Sequence, residues 1–188
     1  MRENYFIHIP KNAGTSAVAA SNFKEPSHKK YLEVRDTIPK DAFLWTIVRN
    51  PYDRAITMYY FMKQLIEEQA PDRIRKKHKI MAAADLNDYW INYFSELDRD
   101  VLNYFYPQFE YVKDEFGKVA NKFDYILKFE TLQDDWSELQ RRIEVPDLPH
   151  RNTTKRPRTP WYDQLNDEAK KRIAELYEKD FTMLNYDF

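Results

Sequence analysis

Residues 4–16, with the sequence Asn-Tyr-Phe-Ile-His-Ile-Pro-Lys-Asn-Ala-Gly-Thr-Ser, decide the fold of this chain. An apolar segment ends at Ile9, before a proline, so the pattern predicts a buried strand that runs into a turn. Two hydroxyl residues then open an alanine-rich helix, which we predict over residues 15–22. The unpaired N–H groups of such a helix start, its dipole and the ammonium group of Lys11 favour a bound anion. The stretch therefore predicts a strand, a turn and a helix that together hold an anionic group, unless the turn is an ordinary one with a solvated lysine.

The order of residues in this turn differs from that of a Walker A loop. A Walker A loop places its lysine directly after the second glycine, whereas here Lys11 precedes Gly14. Glycine is also scarce, with two residues in the whole chain. We therefore expect Gly14 to occupy a position that needs it, either a close approach to a ligand or an ordinary turn.

The composition sets limits on the class of protein. With 188 residues the chain is long enough for a sizeable core, and we expect one domain over residues 1–188. A net charge of −1 and a pI of about 6.4 give no case for binding to nucleic acid or to an anionic membrane. Cysteine is absent, which excludes disulfides and thiolate metal sites and fits a reducing compartment. No signal-peptide pattern and no apolar run of about 18 residues is present, so we expect a cytoplasmic protein.

A second apolar segment, residues 43–48, predicts another strand and is followed by a strong helix start. Asn50 suits the N-cap, Pro51 suits the first helical position, and Asp53 stands at the place of a reciprocal capping residue. Apolar residues then keep helical spacing to about Glu68.

A third strand is predicted over residues 123–129, and a helical stripe covers residues 165–176. Strands that alternate with helices predict a P-loop-like, three-layer α/β fold with a central, mainly parallel sheet flanked by helices. Ligands of such sheets bind beyond the carboxyl ends of the strands. Lys11, Arg49 and Glu130 each follow a predicted strand, so they define one candidate site.

Arg49 and Thr57 form a second candidate anion site. A guanidinium group binds phosphate through two parallel hydrogen bonds, and a hydroxyl adds a further donor. If the strand before Arg49 lies beside the first strand, Arg49 and the turn around Lys11 face one ligand. A ligand with anionic groups at both ends satisfies both sites; the alternative role for Arg49 is a structural ion pair.

These two segments carry a family resemblance. Residues 6–16 together with residues 48–57 resemble the paired signature of the sulfotransferases, and they are closer to the carbohydrate (Golgi-type and bacterial) branch than to the cytosolic steroid and phenol branch. Residues 126–132 with Trp136, and the ending at 177–188, fit the same pattern. The resemblance thus spans nearly the whole chain.

The resemblance implies 3′-phosphoadenosine-5′-phosphosulfate (PAPS) as the sulfuryl donor, 3′,5′-ADP as the product, and no metal. Lys11 would contact the oxygen that bridges phosphate and sulfate and would stabilise the departing phosphate. Arg49 and Thr57 would hold the 3′-phosphate, although the family usually has serine at the latter position, and residues 152–158 would approach the adenine. The 5′ end would be held by backbone N–H groups and hydroxyls of Asn12, Ala13, Gly14, Thr15 and Ser16.

The resemblance implies in-line sulfuryl transfer to a hydroxyl or amine, which in this branch belongs to a carbohydrate. Such a transfer also needs a general base. Histidine titrates in the useful range. The resemblance favours His28, which lies between the two motifs. His8 is expected to pack in the first strand, His78 stands in a basic run, and His150 and an unidentified carboxylate remain as alternatives.

Several residues keep two interpretations. Arg54 either has a structural role or binds the ligand, and Glu130 either orders the junction after the third strand or takes part in catalysis. The basic run at 72–79 is a solvated face or attracts an acidic glycan. We expect residues 70–122 to form much of the acceptor wall. A small-molecule kinase and a non-catalytic nucleotide-binding protein are the competing functions. The kinase would need a magnesium-binding acid at a strand end, where this chain has Arg49.

Overall fold

The computed structural model contains one sheet of three parallel strands. These are β1 (Asn4–Ile7), β2 (Phe43–Val48) and β3 (Tyr125–Lys128), in the spatial order β1-β2-β3. The α/β class with a parallel sheet flanked by helices is therefore confirmed. The structure describes residues 2–20, 27–69, 72, 79–94, 103–149 and 154–188.

Nine helices connect and cover the strands within these described ranges. They are α1 (Gly14–Ala20), α2 (Tyr31–Val34), α3 (Pro51–Gln69), α4 (Leu86–Asp88, continued by a π-helical turn over Tyr89–Tyr93), α5 (Phe109–Val112), α6 (Leu132–Arg142), α7 (Trp161–Gln164), α8 (Asp167–Leu176) and α9 (Glu178–Met183). Short 3-10 turns lie at Arg35–Thr37, Lys79–Met81, Asn103–Phe105 and Phe129–Thr131. None of the helices in the described part of the chain has the length and apolar content that crossing a bilayer would require.

The strand β2 forms the centre of the core, and all six of its residues are buried. Successive side chains of a strand point to opposite faces of the sheet. One face packs against Trp136 of α6, and the other packs against Phe109 of α5. The first set is Phe43, Trp45 and Ile47, and the second is Leu44 and Val48. Burial on both faces explains why the strand is a continuous apolar run.

The strand β3 is shorter than predicted because Asp124 ends the ladder with its side chain. The N–H of Asp124 donates to the carbonyl of Leu44 at 2.8 Å, and its carboxylate accepts the N–H of Leu44 at 2.9 Å. The carboxylate of Asp124 thus accepts the hydrogen bond that a backbone carbonyl of β3 would accept if the strand continued.

The start of α3 is capped as predicted by Asn50, whose side-chain oxygen accepts the N–H of Tyr52 at 2.9 Å. The predicted reciprocal bond from Asn50 to Asp53 is wrong. The N–H of Asn50 donates instead to the carboxylate of Glu130 at 2.6 Å. This contact ties the end of β2 to the end of β3 and leaves Asp53 free for other partners.

Candidate active site

The carboxyl ends of the three strands open onto one cavity of about 1210 Å³. His8 follows β1, Arg49 follows β2, and Glu130 follows β3, and all three line this cavity. The predicted site residues that also line it are Lys11, Ala13, Gly14, Thr15, Ser16, His28 and Thr57. The remaining predicted residue, Asn12, lies behind the wall.

The turn after β1 has an unusual backbone. Lys11 and Ala13 adopt φ angles of 70° and 60°, a left-handed conformation that is uncommon for residues other than glycine and often marks a functional site. Asn12 between them is buried, and its side-chain amide donates to the carbonyl of Ile47 at 2.8 Å and to the side-chain oxygen of Gln108 at 2.7 Å. The side chain of Asn12 therefore anchors the turn to β2, and only its backbone remains for the predicted role.

The hydrogen bonds at the start of α1 use part of the predicted anion cradle. The N–H of Ser16 donates to the carbonyl of Ala13 at 3.0 Å. The N–H of Ser16 is thus already engaged inside the turn.

Gly14 is required because the imidazole of His8 lies against it. A Cβ atom at this position would stand 2.0 Å from Cδ2 and Nε2 of His8. The ring of His8 is itself packed between Phe6 and His28, with centroid distances of 5.6 Å and 4.1 Å. The close approach expected for Gly14 is therefore made by a side chain of the protein.

Lys11 points across the cavity to an aromatic ring. Its ammonium nitrogen lies 3.4 Å from the centre of the Phe61 ring, within the range of a cation–π contact. Burial, together with the positive charges of Arg49 and Arg54, lowers the pKa of Lys11 to about 8. The ammonium group of Lys11 thus lies close to two other positive charges, which an anion in the cavity would offset.

Arg49 lies at the base of the cavity, 5% exposed, with its guanidinium 3.8 Å from the centre of the Phe129 ring. Its Nε and Nη2 atoms contact Oδ2 of Asp53 at 2.7 Å and 2.6 Å, and its Nη1 atom donates to the carbonyl of Lys11 at 2.9 Å. Burial lowers the pKa of Arg49, and Asp53 opposes that shift. The ion pair considered for Arg49 is formed, and two of the five guanidinium hydrogens remain beyond these three bonds.

Arg156 lies in the segment 152–158 that is expected to approach the adenine, and it lines the cavity, but sequence reasoning gave it no role of its own. Its Nη2 atom contacts Oδ1 of Asp53 at 2.8 Å, so that Asp53 bridges Arg49 and Arg156. The Nη1 atom of Arg156 is buried and has no hydrogen-bond partner within the described ranges. A buried guanidinium nitrogen without a partner is costly, and an anion in the cavity would supply one.

The two further polar residues of α3 have different surroundings. Thr57 lines the cavity, but its hydroxyl donates to the carbonyl of Asp53 at 2.9 Å, so it must rotate before it can donate to a ligand. Arg54 is buried and donates to the carbonyls of Pro10, Tyr104 and Tyr106 at 3.0–3.1 Å. These bonds give Arg54 a structural role that holds the turn before Lys11.

His28 borders the cavity beside His8. Its Nδ1 atom lies 3.1 Å from the carbonyl oxygen of His8. A carbonyl can only accept, so Nδ1 carries the proton and the neutral ring has its lone pair on Nε2, the form that a general base needs. Ser27 and His28 have φ angles of 48° and 62°, a second strained stretch at the site. His78, His150 and residues 73–78 and 150–153 lie outside the described residues.

A buried amide and a buried carboxylate support the site from below. The side chain of Gln108 accepts the N–H of Arg49 at 2.8 Å and donates to the Arg49 carbonyl at 2.7 Å. Asp180 accepts the backbone N–H groups of Gln108 and Phe109 at 2.9 Å and 2.8 Å. Burial raises the pKa of Asp180, while Arg54 and these donors act against that rise. Gln108 thus fixes the positions of both Arg49 and Asn12.

Glu130 orders the junction after β3. One carboxylate oxygen accepts the N–H of Asn50, and the other accepts the hydroxyl of Tyr186 at 2.9 Å. Burial and the Glu130 carboxylate raise the pKa of Tyr186. Because both oxygens are engaged, the structural interpretation of Glu130 accounts for its contacts.

The chain was compared with models of known protein families. The model described as the sulfotransferase family covers residues 3–187 of the chain. No curated protein and no solved structure matches.

Proposed function

The chain belongs to the sulfotransferase family, whose members are PAPS-dependent enzymes, and we propose that its cavity binds PAPS by both anionic ends and passes the sulfuryl group to a hydroxyl or amine of a carbohydrate. The observation that carries this proposal is the contact between Arg49 and the carbonyl of Lys11 at 2.9 Å. The two cations assigned to opposite ends of the donor border the same cavity.

The charges of the site fit a polyanion. The lowered pKa of Lys11 reflects burial next to two guanidinium groups, and Arg156 has a buried nitrogen without a partner in the described part of the chain. Bound PAPS would supply the sulfuryl group and a phosphate as leaving group. An anion placed here would relieve the repulsion among the cations and would pair the free nitrogen of Arg156.

The residues then divide the work. Lys11 stabilises the charge that grows on the departing phosphate oxygen, and Arg49 with Arg156 and Thr57 holds the 3′-phosphate. His28 takes the proton of the acceptor hydroxyl on Nε2 while the S–O bond to the acceptor forms. Positioning and fixed charges supply most of the rate enhancement in transfers of this kind.

The test is a melting-temperature comparison of 3′,5′-ADP, 5′-AMP and Mg-ATP at equal concentration. At 100 times its Kd, a ligand stabilises the fold by about 2.7 kcal/mol, on the order of 5–10 °C for a domain of this size. We expect 3′,5′-ADP to give the largest shift. Stabilisation by Mg-ATP alone would favour the kinase and contradict the proposal.

Activity provides the second test. We expect Lys11→Ala to lower sulfate transfer by about 10²-fold or more, the scale of losing one preorganised charge-stabilising donor. Detectable transfer by the wild-type enzyme would exclude a non-catalytic nucleotide-binding protein. Undiminished transfer by the variant would remove Lys11 from the proposed mechanism.

A further inference from the structure

The helix α3 continues as a cavity wall beyond Lys11. Phe61, Gln64, Leu65 and Glu68 follow one another at helical spacing, and each lines the cavity. Because an α-helix rises 1.5 Å per residue, the wall extends about 10 Å from Phe61 to Glu68. This wall, which we call the α3 wall, leaves room for an acceptor next to the proposed reaction centre.

The proposed catalytic groups stand at one end of the α3 wall. Lys11 lies on the ring of Phe61, and Phe61 meets Tyr104 edge to face with a centroid distance of 5.2 Å. Tyr104 in turn meets His28 at 6.0 Å. The acceptor hydroxyl must approach between Lys11 and His28, so the remainder of the acceptor lies along this wall and against these two rings.

The charges along the cavity are unevenly distributed. Four cations line it, namely Lys11, Arg49, Arg156 and Arg158, and the proposed function assigns the first three to the donor. Beyond Phe61, the α3 wall contributes the carboxylate of Glu68, the amide of Gln64 and the aliphatic side chain of Leu65. The amide of Gln64 donates to the carboxylate of Glu68 at 3.0 Å, which keeps both groups on the same face. The α3 wall beyond Phe61 thus offers hydrogen-bonding groups and one negative charge.

We infer, on the basis of the proposed function, that the acceptor is an uncharged polyol such as a neutral oligosaccharide. The carboxylate of Glu68 accepts hydrogen bonds from hydroxyls, and the amide of Gln64 can both accept and donate them. The rings of Phe61 and Tyr104 suit an apolar sugar face. An acceptor that carries carboxylates or sulfates would meet the charge of Glu68 without a cation of the α3 wall to compensate it.

The inference is tested by sulfate transfer from labelled PAPS to two pools of tetrasaccharides of equal length. One pool contains only hexose and N-acetylhexosamine, and the other alternates N-acetylhexosamine with uronate. We expect kcat/KM for the neutral pool to exceed that for the acidic pool by at least tenfold. Equal or faster transfer to the acidic pool overturns the inference, and so does transfer to neither pool by a protein that binds 3′,5′-ADP.

The same samples separate this inference from the proposed function. A melting-temperature shift with 3′,5′-ADP shows that the donor site is intact whatever the acceptor. If the shift is present and the acceptor preference is wrong, only the acceptor inference fails. If 3′,5′-ADP gives no shift, the proposed function fails.

A pair of charge reversals supplies the matched control. Glu67 and Glu68 are neighbours on α3 and both are exposed, but only Glu68 lines the cavity. Glu68→Lys should raise the ratio of acidic to neutral transfer at least tenfold, whereas Glu67→Lys should leave it unchanged. An equal change in both variants would show that the preference follows overall charge, and it would overturn the assignment of the α3 wall.

Discussion

The binding of 3′,5′-ADP should depend on pH because of Lys11. Burial and the charges of Arg49 and Arg54 bring the pKa of this lysine from 10.5 to about 8 in the ligand-free protein. The nucleotide binds the charged ammonium, so above pH 8 the neutral lysine must take up a proton when the nucleotide binds. The effect of pH on folding stability runs in the opposite direction to its effect on nucleotide binding. Because the unfolded chain binds the proton more tightly, the free energy of unfolding increases as the pH rises from 8 towards 10.5, the unfolded pKa of this lysine.

The size of the effect follows from this pKa. A group with a pKa of 8 is roughly 90% protonated at pH 7 and roughly 10% protonated at pH 9. The contribution of Lys11 to the apparent Kd for 3′,5′-ADP should therefore stay nearly constant below pH 7. Above pH 8 the apparent Kd should rise by up to about tenfold per pH unit.

Isothermal titration calorimetry in two buffers of different ionisation enthalpy measures this linkage. At pH 8.5 we expect an uptake of roughly 0.8 proton per site. The control is Lys11→Arg, which keeps the charge but titrates far above this range, so its proton uptake should vanish. A wild-type protein that binds the nucleotide equally well at pH 7 and pH 9, without proton uptake, would refute the reasoning.

Three further predictions concern single positions. Gly14→Ala places a Cβ 2.0 Å from His8 and should cost about 1–3 kcal/mol of unfolding free energy in urea; an unchanged midpoint would mean that the His8 ring moves at no cost. Arg49→Ala should weaken 3′,5′-ADP far more than 5′-AMP in calorimetry, and equal losses would place Arg49 away from the 3′-phosphate. Gln108→Leu breaks the bonds to Asn12 and to the backbone of Arg49 and should lower the free energy of unfolding in urea by about 3 kcal/mol. A loss below about 1 kcal/mol would contradict the stabilising role of these hydrogen bonds.

The elements of the fold could be predicted because their signals are local. A continuous apolar run identifies β2, and Asn50 with Pro51 marks the start of α3. The parallel order follows from the alternation of strands and helices. It brings Lys11 and Arg49 to the same edge of the sheet, as the sequence predicts.

The partners of the site residues could not be predicted, because they are remote in sequence. Asp53 forms a salt bridge with Arg156, and Gln108 forms hydrogen bonds with the backbone of Arg49. In both cases the two residues share no local sequence pattern. The capping rule assigned Asp53 to Asn50, but two nearby guanidinium groups bind a carboxylate more strongly than one N–H does. Asp180 left no distinct signal either, because Glu178 in the same short helix is also a carboxylate and is exposed, whereas Asp180 is buried.

The central claim is that one nucleotide spans the turn at Lys11 and the guanidinium of Arg49. A crystal structure of the complex with 3′,5′-ADP measures this directly. We predict one nucleotide in the cavity, with its 5′-phosphate in hydrogen-bond contact with Lys11 and its 3′-phosphate in contact with Arg49. A nucleotide bound outside the cavity, or with only one phosphate in contact with these two residues, would contradict it.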